Sequence, residues 1–376
     1  MSEYSIEKVK KYTIKLRELI SELPPCCAEY FRGIEQTTGI MTRYGYAVDL
    51  KTFFEYLLGT DSCSGMNSIR EIDLKTIESV DAVCIECFLE YVSLYNKNEN
   101  ERSELTVNGE RAKARKLAAI RSLYKYLYKK QRISTNAPSL VDTPKLHEKP
   151  IIRLEPDEIL NLLQTVENGE GLTERQKLYH KSNSIRDAAI LTLFLGTGMR
   201  ISELVGIDVD DLNFMSNEVR ITRKGGNEEL MVFGSEVRTA LLRYMLQRES
   251  IVPAEGHENA LFLSMQKKRL TVRSVEQLVK KYAALAAPLK KISPHKLRST
   301  YGTMLYRETG DIYLVADVLG HKDVNTTRKH YAAMSEDRRR LAAEVIKLRE
   351  DNHASVGKKP ESVDSVPSPA PAHDSE

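Results

Sequence analysis

Apolar residues recur at helical intervals through most of the first 130 residues. The segment 41–58 places Tyr44, Val48, Phe53 or Phe54, and Leu57 or Leu58 near one face, the spacing of an amphipathic helix. Further helices are expected over 81–95 and 107–130. The pattern breaks at 134–153, where Pro138, Pro144 and Pro150 suit an extended linker, because proline fixes φ and removes a backbone donor. Helical spacing returns at 156–166, 184–195 and 201–205. Two short β-prone runs follow, 218–222 and 229–233, around Arg223-Lys224-Gly225-Gly226-Asn227, a glycine-rich reversal of the kind hairpins use. More helices are expected at 235–247, 272–285, 294–308, 313–319 and 336–348.

The chain therefore reads as mainly α, with a small all-helical domain over 25–135, a linker over 136–153, and a mostly α domain over 154–350 that carries a small antiparallel β-sheet. A charged, partly helical extension, 1–24, ends on Pro24-Pro25, and the Ser, Pro and acidic residues of 351–376 have so little to bury that disorder is expected. A length of 376 residues is enough for two cores. The net charge of +3 understates the basic character, because the last 26 residues hold two Lys against five acids and leave +6 on the rest. Five cysteines, an odd number, behind a charged N-terminus without an apolar leader suggest a reducing cytoplasm. Cys84-x-x-Cys87 lacks a second pair or a His cluster at zinc spacing, so it reads as two buried helix thiols and not a metal site. No apolar run approaches the roughly 18 residues that a membrane span needs.

Charge is concentrated in one place. Between 111 and 132 there are nine Lys or Arg and no acid. A helical projection puts Leu117, Ile120, Leu123, Tyr124 and Leu127 on one side, with Arg111, Arg115, Arg121, Lys125 and Lys129 opposite. Solvated faces usually mix both signs, whereas an all-cationic face can lie along a phosphate backbone. Candidate nucleic-acid contacts are Arg43, Arg111, Lys113, Arg115, Lys116 and Arg121.

Three short motifs in the second half carry candidate chemistry. In Gly196-Thr197-Gly198-Met199-Arg200-Ile201-Ser202-Glu203, a glycine-bracketed break sets Arg200 at a helix start with Glu203 one turn on, so that the carboxylate can fix a guanidinium aimed at a phosphate; an ordinary helix-end ion pair has the same spacing. In Ser293-Pro294-His295-Lys296-Leu297-Arg298, Ser-Pro marks a helix start and His295 and Arg298 share its first turn. The third motif runs from Leu319-Gly320-His321 to His330-Tyr331, and Tyr331 is the last of 18 tyrosines.

Taken in order, R-x-x-E, a hairpin Lys, H-x-L-R, L-G-H and a following Tyr resemble the tyrosine recombinase (phage integrase) family. The resemblance covers about residues 26–345, and within it Pro24-Pro25-Cys26, Thr222-Arg223-Lys224-Gly225-Gly226 and the Ser293–Arg298 motif look most like the single-protein type of Xer recombinase. It implies a recombinase fold whose helical first domain binds the DNA core site. Tyr331 would be the nucleophile and Arg200, Arg298 and His321 the ligands of the phosphate. His295 would bind the phosphate or act as acid/base, Lys224 would protonate the leaving oxygen, and Glu203 would support Arg200. No metal or nucleotide cofactor is implied. The chain departs from the family pattern at Arg223 and Glu229, where Gly and a basic residue are common, at Ser299, and in a His321-to-Tyr331 spacing one longer than the Xer pattern.

The implied partners are double-stranded DNA with paired inverted half-sites and three further copies of the chain, giving a homo-tetramer on two sites, with a DNA translocase or accessory factor as a candidate activator and no membrane. Leu341, Val345 and Leu348 form an apolar stripe that either docks on a neighbouring copy or folds back on its own domain. Chromosome dimer resolution and mobile-element integration both fit. The alternatives are a type IB topoisomerase and a non-catalytic DNA-binding protein of the same fold.

Overall fold

The computed structural model describes residues 3–96, 105–145, 151–223, 226–321 and 324. The chain divides into two compact units, Met1–Gly320 and His321–Glu376, and the helices and strands named below belong to the first.

Within that unit two hydrophobic clusters form. The first gathers α1 (Glu3–Glu22), α2 (Pro25–Gly33), α3 (Ile40–Leu58), α4 (Leu74–Ser79), α5 (Ala82–Tyr91) and α6 (Glu110–Lys129) around Tyr30, Phe31, Phe53, Phe54, Phe88, Leu117, Ile120 and Leu123. Local chemistry sets the starts of these helices. Pro25 opens α2 at a position where the missing N–H costs nothing, and the carboxylates of Asp73 and Asp81 accept the Thr76 and Cys84 N–H groups at the heads of α4 and α5.

Three sequence expectations change here. The N-terminal segment, expected to be partly helical, is a continuous 20-residue helix, and it packs along α3 with Leu16 and the following Leu23 in the core. Its apolar stripe, Leu16, Leu19, Ile20 and Leu23, is short and hidden among charges, but it suffices once α3 offers a surface. Cys84 is only half-buried and Cys87 is exposed, because α5 turns Ile85, Phe88 and Leu89 inward. The helix expected over 81–95 also stops at Tyr91, and the chain then pairs β1 (Leu94–Asn96) antiparallel with β2 (Leu105–Val107).

The second cluster is built around α8 (Glu174–Thr197), whose last third is apolar all round and buries Ala189, Ile190, Leu191, Leu193, Phe194 and Leu195. Such a helix must be covered on every side. It packs against α7 (Pro156–Asn168), α10 (Ser235–Glu249) and α12 (Pro294–Thr309), while α11 (Val272–Ala286) closes on α7. Helix α8 starts ten residues before its expected beginning because Thr173 and Gln176 form a capping box. A short helix, α9 (Ile201–Val205), precedes a three-stranded antiparallel sheet in the order β3 (Leu212–Asn213), β4 (Glu218–Thr222), β5 (Glu228–Val232), with Thr222 opposite Glu228 and Ile221 opposite Glu229. Asp311 caps α13 (Ile312–Val318), the last helix of this unit.

The chain is thus mainly helical with a small antiparallel sheet, as its patterning predicts. Among the described residues no helix is long and apolar enough to cross a membrane. The helix expected at 336–348 and the tail at 351–376 lie outside the described residues.

Candidate active site

Three chain segments converge: the end of α8, the start of α12 and the end of α13. Helix α8 terminates on Gly198, whose φ of 63° is the left-handed value that ends a helix, and a Cβ there would lie 2.3 Å from the Tyr301 ring. The reversal buries Met199 and presents Arg200 at the N-terminus of α9. Glu203, one turn on and with its side chain 2% exposed, accepts the Arg200 backbone N–H at 2.7 Å and its Nη1 at 2.8 Å. The carboxylate therefore grips its arginine by backbone and fork together.

On α12, Arg298 is 4% exposed. Its Nη1 donates to the Gly198 carbonyl at 2.8 Å and its Nη2 to the Leu319 carbonyl. Arg200 Nη2 donates to the next carbonyl, that of Gly320, at 3.2 Å. The preceding carbonyl, of Val318, takes Nη2 of Arg223 at 3.3 Å. Three consecutive carbonyls at the C-terminal end of α13 thus each accept a different guanidinium. Helix C-termini leave carbonyls without intrahelical partners and carry partial negative charge, so cations gather there. Hydrogen bonds to charged groups contribute about 1.5–3 kcal/mol each, enough to hold the turn and the arginines in one arrangement.

Arg223, at the base of the β4–β5 hairpin, also clamps Glu229 with Nε at 2.8 Å and Nη2 at 2.6 Å, and reaches Glu203 with Nη1 at 3.4 Å. The hydrogen bond from Arg223 holds the Glu229 carboxyl below the usual carboxylate range. Sequence reasoning noted Arg223 and Glu229 only as departures from a pattern. The signal was there, since a cation and an acid stand where Gly and a cation are common, and the exchange is reciprocal.

The structure therefore brings Arg200, Glu203 and Arg298 together. His295 is exposed in the first turn of α12, one turn ahead of Arg298. His321 follows Gly320 in the chain and opens the other unit. Lys224 and Tyr331 lie outside the described residues. Among the described residues no group of three or more His, Cys, Asp or Glu is placed to hold a metal ion.

The candidate nucleic-acid contacts separate into two groups. Arg111 and Arg115 are exposed on α6 and Lys113 is half-exposed, although Arg115 also pairs with Asp49 at 2.7 Å. Lys116 is a correction: it is 3% exposed with its Nζ 3.2 Å from Asp49, a carboxylate that is itself fully buried, so it is a core ion pair. Burial pushes the Asp49 carboxyl up, against the pull of Lys116 and Arg115. Arg121 is partly exposed, with its guanidinium engaged by the Pro138 and Val141 carbonyls and by Thr143. Arg43 has its side chain mostly buried and pairs with Glu35 at 2.9 Å.

The sequence model of the phage integrase family matches residues 152–338. The chain is 34% identical to a tyrosine recombinase XerC of Caldanaerobacter subterraneus subsp. tengcongensis, over 87% of this chain and 89% of that one. It is 31% identical to a tyrosine recombinase XerS of Streptococcus thermophilus, over 83% of this chain and 93% of that one. Its fold superimposes on that of the XerH site-specific recombinase, solved bound to a palindromic difH substrate as a post-cleavage complex, with a TM-score of 0.61 and 18% identity over 89% of each chain. The ordered motifs, the arginines gathered at the end of α13 and these likenesses lead to one conclusion: the chain belongs to the phage integrase family, as a Xer-like tyrosine recombinase.

Proposed function

We propose that the protein recombines DNA site-specifically by breaking and rejoining strands through a covalent bond at Tyr331. The observation that carries this reading is the convergence of Arg200 and Arg298 on adjacent carbonyls, with Glu203 orienting the first. Two guanidinia held on adjacent carbonyls suit the two non-bridging oxygens of a phosphate on which charge grows in the transition state. They supply the positive charge that a metal ion supplies in other phosphate enzymes.

In this reading the Tyr331 phenol oxygen attacks phosphorus as its proton passes to a base, a role that suits His295. The new P–O bond forms as the P–O5′ bond breaks, and the leaving 5′-oxygen takes a proton from Lys224. His321 adds a hydrogen bond to the same phosphate. The product is a 3′-phosphotyrosyl ester and a free 5′-hydroxyl. Because the energy of the broken ester is kept, attack by another 5′-hydroxyl rejoins the strand without ATP.

The helical part, residues 25–135, would clasp the duplex across from residues 154–350, with Arg111, Lys113 and Arg115 of α6 on the phosphates. Four copies on two inverted-repeat sites would exchange strands in a closed ring, in the cytoplasm where the DNA is. The test is strand exchange between two duplexes recovered by the protein from fragmented host DNA. Recombinant joints should appear with the wild type and disappear in Tyr331→Phe. Relaxation of supercoils without any joint would assign the protein to the topoisomerases.

A further inference from the structure

A hairpin arginine is ordinarily a solvated surface charge whose removal changes little. Arg223 is 8% exposed. Taking a guanidinium out of water costs several kcal/mol unless its donors are met, and here they are met on three sides: by Glu229, by Glu203 and by the Val318 carbonyl. Glu203 is the same buried carboxylate that grips Arg200. Its Oε1 takes Arg200 Nη1, while its Oε2 is shared between the Arg200 N–H and Arg223 Nη1. The Arg223 guanidinium also lies against the backbone of Gly320, where φ is 58° and a Cβ would fall 2.9 Å from its Cζ. The turn before His321 therefore has glycine where a side chain would press on this arginine.

We infer that Arg223 is a positioning residue: a third guanidinium that locks Glu203, and through it Arg200, against the turn leading into His321. The inference rests on the recombinase reading of the site. Without Arg223, Glu203 Oε2 and the Val318 carbonyl lose a donor each, and the carboxylate is held by Arg200 alone. Glu229 serves as the outer clamp, holding Arg223 bidentately so that it stays aimed inward.

The test compares single-turnover formation of the covalent adduct by wild type, Arg223→Ala, Arg223→Lys and Glu229→Gln on three nicked duplexes. One carries an ordinary phosphodiester at the cleavage position. The second carries a methylphosphonate, which lacks one anionic oxygen and so asks less of the arginines. The third carries a 5′-bridging phosphorothiolate, whose leaving sulfur needs no proton. Arg223→Ala is expected to lose about 10–100-fold on the phosphodiester with DNA binding unchanged, the scale of a misplaced reacting group. The loss should shrink to under about threefold on the methylphosphonate and persist on the phosphorothiolate. Arg223→Lys should recover only part of the rate, since an ammonium cannot clamp Glu229 and reach Glu203 together. Glu229→Gln, which keeps the guanidinium and guards against a misfolded Arg223→Ala, should show a smaller loss with the same substrate pattern.

An equal loss on all three duplexes would make Arg223 a merely structural residue and overturn the inference. So would a loss that vanishes on the phosphorothiolate, which would place Arg223 behind proton donation by Lys224. Failure of the wild type to form an adduct on any duplex would instead sink the recombinase reading, and this inference with it.

Discussion

Arg200 donates its Nη2 to the carbonyl oxygen of Gly320 at 3.2 Å, across 120 residues of chain, while its Nη1 is held by Glu203. The fork is thus set before any DNA arrives, which is what preorganised stabilisation of a transition state requires. Arg200→Ala is expected to reduce adduct formation about 10²–10³-fold with little change in DNA affinity. Arg200→Lys should fare almost as badly, because one ammonium cannot serve Glu203, Gly320 and a phosphate at once. Gel-shift titration beside single-turnover cleavage separates the two quantities.

Gly198 ends α8 at a φ of 63° with the Tyr301 ring 2.3 Å from where a Cβ would be. Gly198→Ala should lower stability by about 1–3 kcal/mol from backbone strain alone. Denaturant titration measures it, and an unchanged midpoint would contradict the left-handed backbone at Gly198.

Basic residues on α6 should divide by burial and not by charge. Lys116→Ala leaves Asp49 buried beside one remaining cation, so a stability loss of about 3–5 kcal/mol is expected, with an unaltered salt slope of DNA binding in whatever protein remains folded. Arg111→Ala should leave stability within about 0.5 kcal/mol and reduce the slope of log K against log salt by about 1.

The acid limb of stability should trace partly to two carboxylates. Glu229 and Glu155 are both held below the usual carboxylate range, the first by the hydrogen bond from Arg223 and the second chiefly by that from Arg307. A folded pKa below the unfolded one means that the contribution is present above the unfolded value, near pH 4.3, and is lost as pH falls through the lower folded value. Unfolding midpoints measured from about pH 5 down to pH 3 should fall less steeply in Glu229→Gln than in the wild type.

Much of the fold was legible because its signals are local. The strand Glu218–Thr222 and the helix Ile201–Val205 carry their own boundaries, and Leu117, Ile120, Leu123 and Leu127 declare the buried face of α6 by spacing alone. What escaped depends on tertiary partners. Nothing local says that Lys116 faces Asp49 on another helix, or that a helix as charged as α1 has α3 to pack on. The two-residue strand β3 is shorter than any pattern can declare. For the site, motif order singled out Arg200 and Arg298, but not the Val318, Leu319 and Gly320 carbonyls that gather them, since a carbonyl has no residue identity to read.

The most direct measurement maps the covalent bond. Wild-type protein is incubated with a nicked duplex of its recovered site, the SDS-resistant adduct is digested with protease, and the peptide carrying the nucleotide is sequenced by mass spectrometry. The account predicts one modified residue, Tyr331, joined to a 3′-phosphate, and no adduct from Tyr331→Phe. A nucleotide found on any other side chain, a 5′-phosphate linkage, or cleavage that continues without a covalent adduct would contradict it.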